Sequence, residues 1–289
     1  MQPRFGGGLR SAAVNPPDLL LPLDGLTVAA DDRGDGPAVP LVLVHGFTGG
    51  RIDFADVIDD LAVDRRVVVW DHRGHSESTN TGDAASYMLE QLRDDAWAVL
   101  DELGIDRFHL LGHSMGGFVA QLMAVDRPER VVSLVLMDTS PHPMEVPREW
   151  VDRYAEIGRT QGMTAVADAI GELANAYSVA PEADRERIFA RHHHKLAQMD
   201  VEAYVALADA LRSFEPVVEQ VAEVSRPTTI VVGELDQPFR APSEAFASAI
   251  PGSELVVIEG AAHCPQEDRR EQWLAVIRSH LARADSATG

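Results

Sequence analysis

Short runs of apolar and β-branched residues punctuate the chain: Leu41–Val44, Val67–Trp70, Phe108–Leu111, Val131–Met137, Thr228–Val232 and Leu255–Ile258. An unbroken run of this kind predicts a strand covered on both faces, because a strand with one wet face would alternate. Leu26–Ala30 predicts an edge strand, and Asp31–Pro40, dense in Asp, Gly and Pro, predicts a turn. Between the runs the spacing becomes helical. Met88, Leu89, Leu92, Ala96, Val99, Leu100 and Leu103 share one face of a helix over 86–103 that stops at Gly104. Phe118–Val125, 53–61 and 266–284 predict further helices. Strands alternating with helices describe a doubly wound, mostly parallel α/β sheet with helices on both faces. Ligands of such sheets bind beyond the carboxyl ends of the strands, here where the loops after Val44, Leu111 and Met137 converge.

The pattern changes between about residues 140 and 224. Buried-strand runs disappear, and amphipathic helices are predicted over 150–158, 163–176, 182–194 and 201–214. Residues 1 to about 18, with Gly6-Gly7-Gly8 and Pro16-Pro17, have no periodicity and predict a loose arm.

Candidate chemistry centres on Gly112-His113-Ser114-Met115-Gly116-Gly117, between the Phe108–Leu111 strand and the Phe118–Val125 helix. A strand that turns sharply into a helix needs glycines where backbone segments crowd, and it lifts the central serine clear of the sheet. The first amides of the helix then face whatever that serine attacks. Two further loops carry Asp236, after the Thr228–Gly233 strand, and His263, after Leu255–Ile258, giving the chain order Ser, Asp, His. A serine hydroxyl is a poor nucleophile, so an imidazole must take its proton and a carboxylate must orient that imidazole. Glu234 and Asp138 compete with Asp236 for the acid position, Asp138 from the loop after Val131–Met137. His113 is expected to pack into the sheet and Cys264 to be a small filler. Asp71 and Arg73 are expected to lock a turn.

The chain resembles the α/β-hydrolase family through His45-Gly46-Phe47, Asp71-His72-Arg73-Gly74-His75, the segment around Ser114, and the Asp236 and His263 loops, over about residues 24–283. One departure is Ser76, where relatives commonly have Gly. The resemblance implies an eight-stranded sheet with a helical cap inserted after the sixth strand. The expected organisation is an arm at 1–23, a core at 24–139 and 225–289, and a cap at 140–224. It implies Ser114, Asp236 and His263 as catalytic residues and the backbone N–H groups of Phe47 and Met115 as the oxyanion hole. His45, Gly46, Gly112, His113 and Gly116 would shape the site. No cofactor is implied. The implied reaction is hydrolysis of a small carboxylic ester or lactone through an acyl-enzyme. The alternatives are a C–C hydrolase or lyase on the same triad, and a non-catalytic ligand-binding member.

Composition narrows the partners more than the chemistry. A formal net charge of −21 over 289 residues disfavours nucleic acid and anionic membranes, leaving a small-molecule partner and a monomer or homodimer as the expectation. The single cysteine, Cys264, is expected to exclude both an internal disulfide and a cysteine-based metal site. His192-His193-His194 suggests a metal, but consecutive helical residues point about 100° apart and do not converge, so no metal is expected. No apolar run has membrane-spanning length and no signal peptide is evident, so a cytoplasmic location is expected.

Overall fold

A computed structural model describes residues 15–144, 146–177 and 179–288, with side chains at 172–177 and 288 excepted. The expected loose arm lies outside this range up to residue 14. The strands are β1 (Leu19–Leu23), β2 (Leu26–Val44), β3 (Arg65–Trp70), β4 (Phe108–His113), β5 (Val131–Met137), β6 (Thr228–Gly233) and β7 (Glu254–Ile258). They form one sheet in the order β1-β2-β4-β5-β6-β7, with β3 also paired to β2. From β2 through β4, β5 and β6 to β7 all pairings are parallel, and β1 runs antiparallel to β2.

Among the described residues the sheet has seven strands, not the expected eight. The expected turn over Asp31–Pro40 lies inside the continuous run of β2. Both ends of that run meet β3. Ala30 to Arg33 pair with Trp70 back to Val67, whereas Leu41 to Leu43 pair with Val67 forward to Val69. Gly34, with φ +76°, lies where the run bends. The acidic side chains that suggested a turn are neutralised by arginines: Asp31 takes two bonds from Arg51 at 2.9 Å and Asp32 two from Arg66 at 2.7 and 2.9 Å.

The strands sort their side chains by parity, as the pleat requires. Val42, Val44, Leu110, Leu134 and Leu136 enter one apolar cluster, and Leu41, Leu43, Leu111, Val135 and Met137 enter the other. The first cluster packs on α2 (Leu89–Glu102) and α3 (Met115–Asp126). The second packs on α1 (Ile58–Leu61) and α11 (Arg270–Thr288). The helix expected over 53–61 is a 3₁₀ turn, Arg51–Phe54, followed by the short α1. The closing helix is divided into α10 (Pro265–Asp268) and α11.

Between β5 and β6 lie α4 (Arg148–Gln161), α5 (Met163–Tyr177), α6 (Glu182–Ala197), α7 (Val201–Arg212) and α8 (Val218–Glu223). The insertion point therefore follows the fifth strand of seven, because β2 absorbs two expected strands. Val151, Tyr154, Val166, Leu196, Tyr204 and Leu207 of this segment join the first core cluster, so the helices pack onto the sheet domain. Among the described residues no helix is long and apolar enough to cross a membrane.

Ser76 is buried at φ +42°, in the left-handed region, and its Oγ has no hydrogen-bond partner among the described residues. A side chain there is strained and makes no compensating bond. Ser76→Gly is expected to raise stability by up to about 1 kcal/mol, the relief of strain being partly offset by the larger backbone entropy of glycine. Urea unfolding of the two proteins checks this; a loss of stability would contradict it.

Candidate active site

Ser114 joins β4 to α3 at φ 53°, ψ −120°, a conformation that non-glycine residues rarely adopt. Its backbone is over-determined. The Ser114 amide donates to Met137 O at 2.9 Å, while its carbonyl accepts from Gly117 N–H at 2.9 Å and from Thr139 Oγ1 at 2.8 Å. Such cross-bonding is what holds a strained residue in place, at a cost of roughly 1–3 kcal/mol. The flanking glycines are steric necessities: a β-carbon on Gly112 would overlap the Gly116 carbonyl, and one on Gly116 would overlap the Val44 carbonyl. Gly46 faces the serine directly, since a β-carbon there would stand 3.1 Å from Ser114 Cβ and 3.6 Å from its Oγ.

The expected site residues come from the carboxyl ends of β2, β4, β6 and β7. His263 Nδ1 bonds Asp236 Oδ2 at 2.7 Å, with Asp236 buried and the imidazole 40% exposed. The His263 ring stacks on Phe239 at 4.9 Å and lies 5.0 Å from the His113 ring. His113 Nε2 meets the His263 carbonyl oxygen at 2.7 Å. Burial, helped by His263, lowers the His113 pKa to about 3, so the ring is neutral and donates from Nε2. The residue next to Ser114 thus anchors the His263 loop. No hydrogen bond joins Ser114 Oγ to His263; a catalytic bond of this kind often tightens only around the substrate.

The acid position contains two carboxyls. One oxygen each from Asp138 and Asp236 and one ring nitrogen of His263 lie within 4.8 Å of one another. Asp138 is fully buried, and its Oδ1 accepts from Gly233 N–H at 2.9 Å. Burial, then the bond and charge of Asp236, push its carboxyl well above the usual range. Among the described residues its Oδ2 receives no donor. Burial works against ionisation of Asp236 too, but the bond and charge of His263 and the bond from Asp138 outweigh it and hold that carboxyl below its ordinary value. Glu234 is engaged elsewhere, accepting from Gly260 N–H at 2.8 Å.

The expected oxyanion donors sit in fixed peptides. Met115 opens α3, so its amide has no partner within the helix. The Gly46 carbonyl accepts from Gly49 N–H at 3.0 Å and from His45 Nδ1 at 2.8 Å. A trans peptide is planar, so pinning that oxygen aims the Phe47 N–H the opposite way. His45 Nε2 accepts from His72 N–H at 3.0 Å, which places the ring proton on Nδ1. Burial drives the His45 pKa well down and keeps the ring neutral. His75 Nε2 bonds the Phe47 carbonyl at 2.6 Å, and the Phe47 ring stacks on Tyr204 of α7 at 5.2 Å. If the Phe47 amide serves the reaction, His45→Ala should lower kcat, by less than the roughly 10²–10³-fold that follows outright loss of an oxyanion donor. An unchanged kcat in a folded variant would remove His45 from this role.

The turn after β3 behaves partly as expected. Asp71 accepts the Arg51 amide at 2.7 Å, but Arg73 bonds Asp95 of α2 at 2.5 and 2.6 Å rather than Asp71. The three consecutive histidines diverge to Glu267, Asp168 and Glu77. Lys195, the only lysine, is buried in an ion pair with Asp53.

A cavity of about 220 Å³ opens against this site, lined by Thr48 and His263 from the sheet domain and by Ile170, Ile188, Phe189 and Leu196 from α5 and α6. Ser114 is not among the lining residues. The volume is below the usual 300–1,000 Å³ of ligand pockets, so it suits a small molecule. Cys264, expected as a small filler, is partly buried and also lines the cavity wall. Phe239 is marked by no sequence pattern, and the contacts that bring His75, a residue of the family-like motif, and Tyr204 of the cap segment against Phe47 are tertiary.

Residues 39–169 match a family model described as alpha/beta hydrolase fold. The chain superimposes on a carboxylesterase structure from Nitrososphaera gargenis with TM-score 0.79 and 25% identity, covering 93% of this chain and 99% of that one. A thermophilic esterase from Thermogutta terrifontis gives TM-score 0.77 and 28% identity, covering 90% and 94%. The 2-hydroxymuconate semialdehyde hydrolase of a Pseudomonas species is 27% identical over 96% of this chain and 99% of its own.

Proposed function

The chain belongs to the α/β-hydrolase fold family, and on that footing we propose that it is a cofactor-independent serine hydrolase that cleaves a small carboxylic ester or lactone. The observation that carries this reading is Ser114, held in a left-handed conformation at the strand–helix junction, with its neighbour His113 bonded to the loop of an Asp236-paired His263. In the proposed reaction Ser114 Oγ attacks the acyl carbonyl and gives its proton to His263 Nε2, since Nδ1 is engaged by Asp236. The oxyanion is held by the amides of Phe47 and Met115, each worth on the order of 3 kcal/mol. His263 returns the proton to the leaving oxygen, and water then cleaves the acyl-enzyme by the same path.

The helices of residues 140–224 serve as the cap: α5 and α6 wall the cavity and limit the size of what reaches His263. The likeness of the whole chain in fold and length to the two esterases favours ester chemistry. The match along nearly the full length of a semialdehyde hydrolase supports a second reading, hydrolytic C–C cleavage of a vinylogous diketone on the same residues. Steady-state hydrolysis of p-nitrophenyl acetate and butyrate, short lactones and a vinylogous diketone separates them. Ester or lactone turnover with a pre-steady-state burst supports the first reading. Loss of the diketone absorbance without ester turnover supports the second, and inertness toward every compound contradicts both.

A further inference from the structure

One wall of the cavity carries side chains that the proposed reaction does not use. Cys264 lies in the loop after β7, Glu267 on α10, and His192 on α6 across the cavity. His192 Nε2 stands 2.8 Å from Glu267 Oε2, and one ligand atom from each of the three residues lies within 4.8 Å of the others. Ligand atoms about 2.0–2.3 Å from a zinc ion in a tetrahedron are about 3.3–3.8 Å apart, so side-chain adjustments of about 1 Å would bring all three onto one ion. Cys264 and Glu267 are already fixed relative to each other, because the Glu267 amide donates to the Cys264 carbonyl at 2.9 Å.

A second observation points the same way. The Glu267 side chain is 3% exposed, yet its Oε1 has no hydrogen-bond partner among the described residues. A buried carboxylate oxygen without a donor is costly and calls for a ligand. Lys195 lines the same wall, but its ammonium is paired with Asp53. His193 also lines the cavity but its Nε2 is bonded to Asp168, and His194 bonds Glu77, so of the three histidines it is His192 that reaches Glu267.

We propose that His192, Cys264 and Glu267 form a binding site for a borderline-soft divalent cation such as Zn²⁺ or Co²⁺, with the fourth position open to the cavity. An imidazole, a thiolate and a carboxylate suit such a cation, and three protein ligands with one open position is a stable arrangement for it. Binding replaces the thiol proton of Cys264, which leaves to solvent, while His192 ligates as the neutral ring. Such a site would run against the expectation that a lone cysteine and diverging histidines leave no place for a metal. The site needs only one of each, joined by a glutamate that is remote from the histidine in sequence.

The test uses Co²⁺ as the probe and untagged full-length protein stripped with a chelator. Because Cys264 is the only cysteine, a thiolate-to-cobalt charge-transfer band in the near ultraviolet can arise from no other residue. The band is expected to saturate at one cobalt per chain and to disappear when Zn²⁺ is added. It should be absent in Cys264→Ser, and cobalt affinity should fall at least tenfold in Glu267→Gln and in His192→Gln, with circular dichroism unchanged. No band in the wild type at millimolar cobalt overturns the proposal, as does a band whose affinity both of the latter variants leave unchanged. The readout is independent of hydrolysis, so it stands or falls apart from the proposed reaction.

Discussion

Ser114→Ala is expected to lower kcat for p-nitrophenyl butyrate by on the order of 10⁴-fold or more while leaving the fold intact. The methyl group fits wherever the hydroxymethyl did, and the backbone bonds to Met137, Thr139 and Gly117 do not involve the hydroxyl. What remains is binding and any polarisation of the carbonyl by the amides of Phe47 and Met115. Stability gives a second arm. Alanine still sits at φ 53°, so Ser114→Ala should unfold close to the wild-type denaturant midpoint. Ser114→Gly relieves the strain and should be more stable by on the order of 1 kcal/mol, yet equally inactive. A stabilised but dead glycine variant is the signature of strain kept for function. An active glycine variant would contradict the nucleophile assignment.

Asp236→Asn is expected to cost about 10⁴-fold in kcat, because an amide donating to His263 Nδ1 favours the wrong tautomer. Asp138→Asn is expected to cost less than about tenfold. Asp138 is buried and keeps its proton, so the carboxyl already acts as a donor toward Asp236, and an amide donates equally well. The pair of variants therefore separates two carboxyls that lie within a few ångströms of the same imidazole. If Asp138→Asn were the more damaging, the acid would have to be reassigned. Steady-state kinetics on both variants, with near-ultraviolet circular dichroism to confirm packing, decides between them.

The parts legible in the sequence are those set by local physics. β4, β5 and β6 are buried along their whole length, so each appears as a continuous apolar run. The helices between residues 148 and 212 kept amphipathic spacing and were expected within a few residues of their ends. Leu19–Leu23 was missed because Pro22 and brevity argue against a strand, although β1 is an edge strand where a proline is tolerated. Asp31–Pro40 suggested a turn because its composition is turn-like. Arg51 and Arg66 supply from elsewhere the charges that let it stay extended.

The site divides in the same way. The spacing of glycines around Ser114 was readable because a strand turning sharply into a helix crowds its own backbone, as at Gly112, whereas the overlap of Gly116 with the Val44 carbonyl is tertiary. The supporting contacts were not readable, because they join residues far apart in sequence: His113 to the His263 carbonyl, His75 to Phe47, and His45 through Gly46 to the aim of one amide. Nothing in a single sequence marks such pairs. Asp236 was favoured over Glu234 and Asp138 from its loop alone, but its bond to His263 and the engagement of Glu234 with Gly260 had no local signal.

The central claim is that Ser114 is the acylated nucleophile, and covalent labelling tests it most directly. The protein would be treated with a fluorophosphonate and its intact mass and peptide map recorded, beside Ser114→Ala. The account predicts a single phosphonyl adduct on Ser114, none on the variant, and loss of ester hydrolysis in step with labelling. No adduct on the folded wild type, or an adduct on another residue that persists in Ser114→Ala, would contradict it.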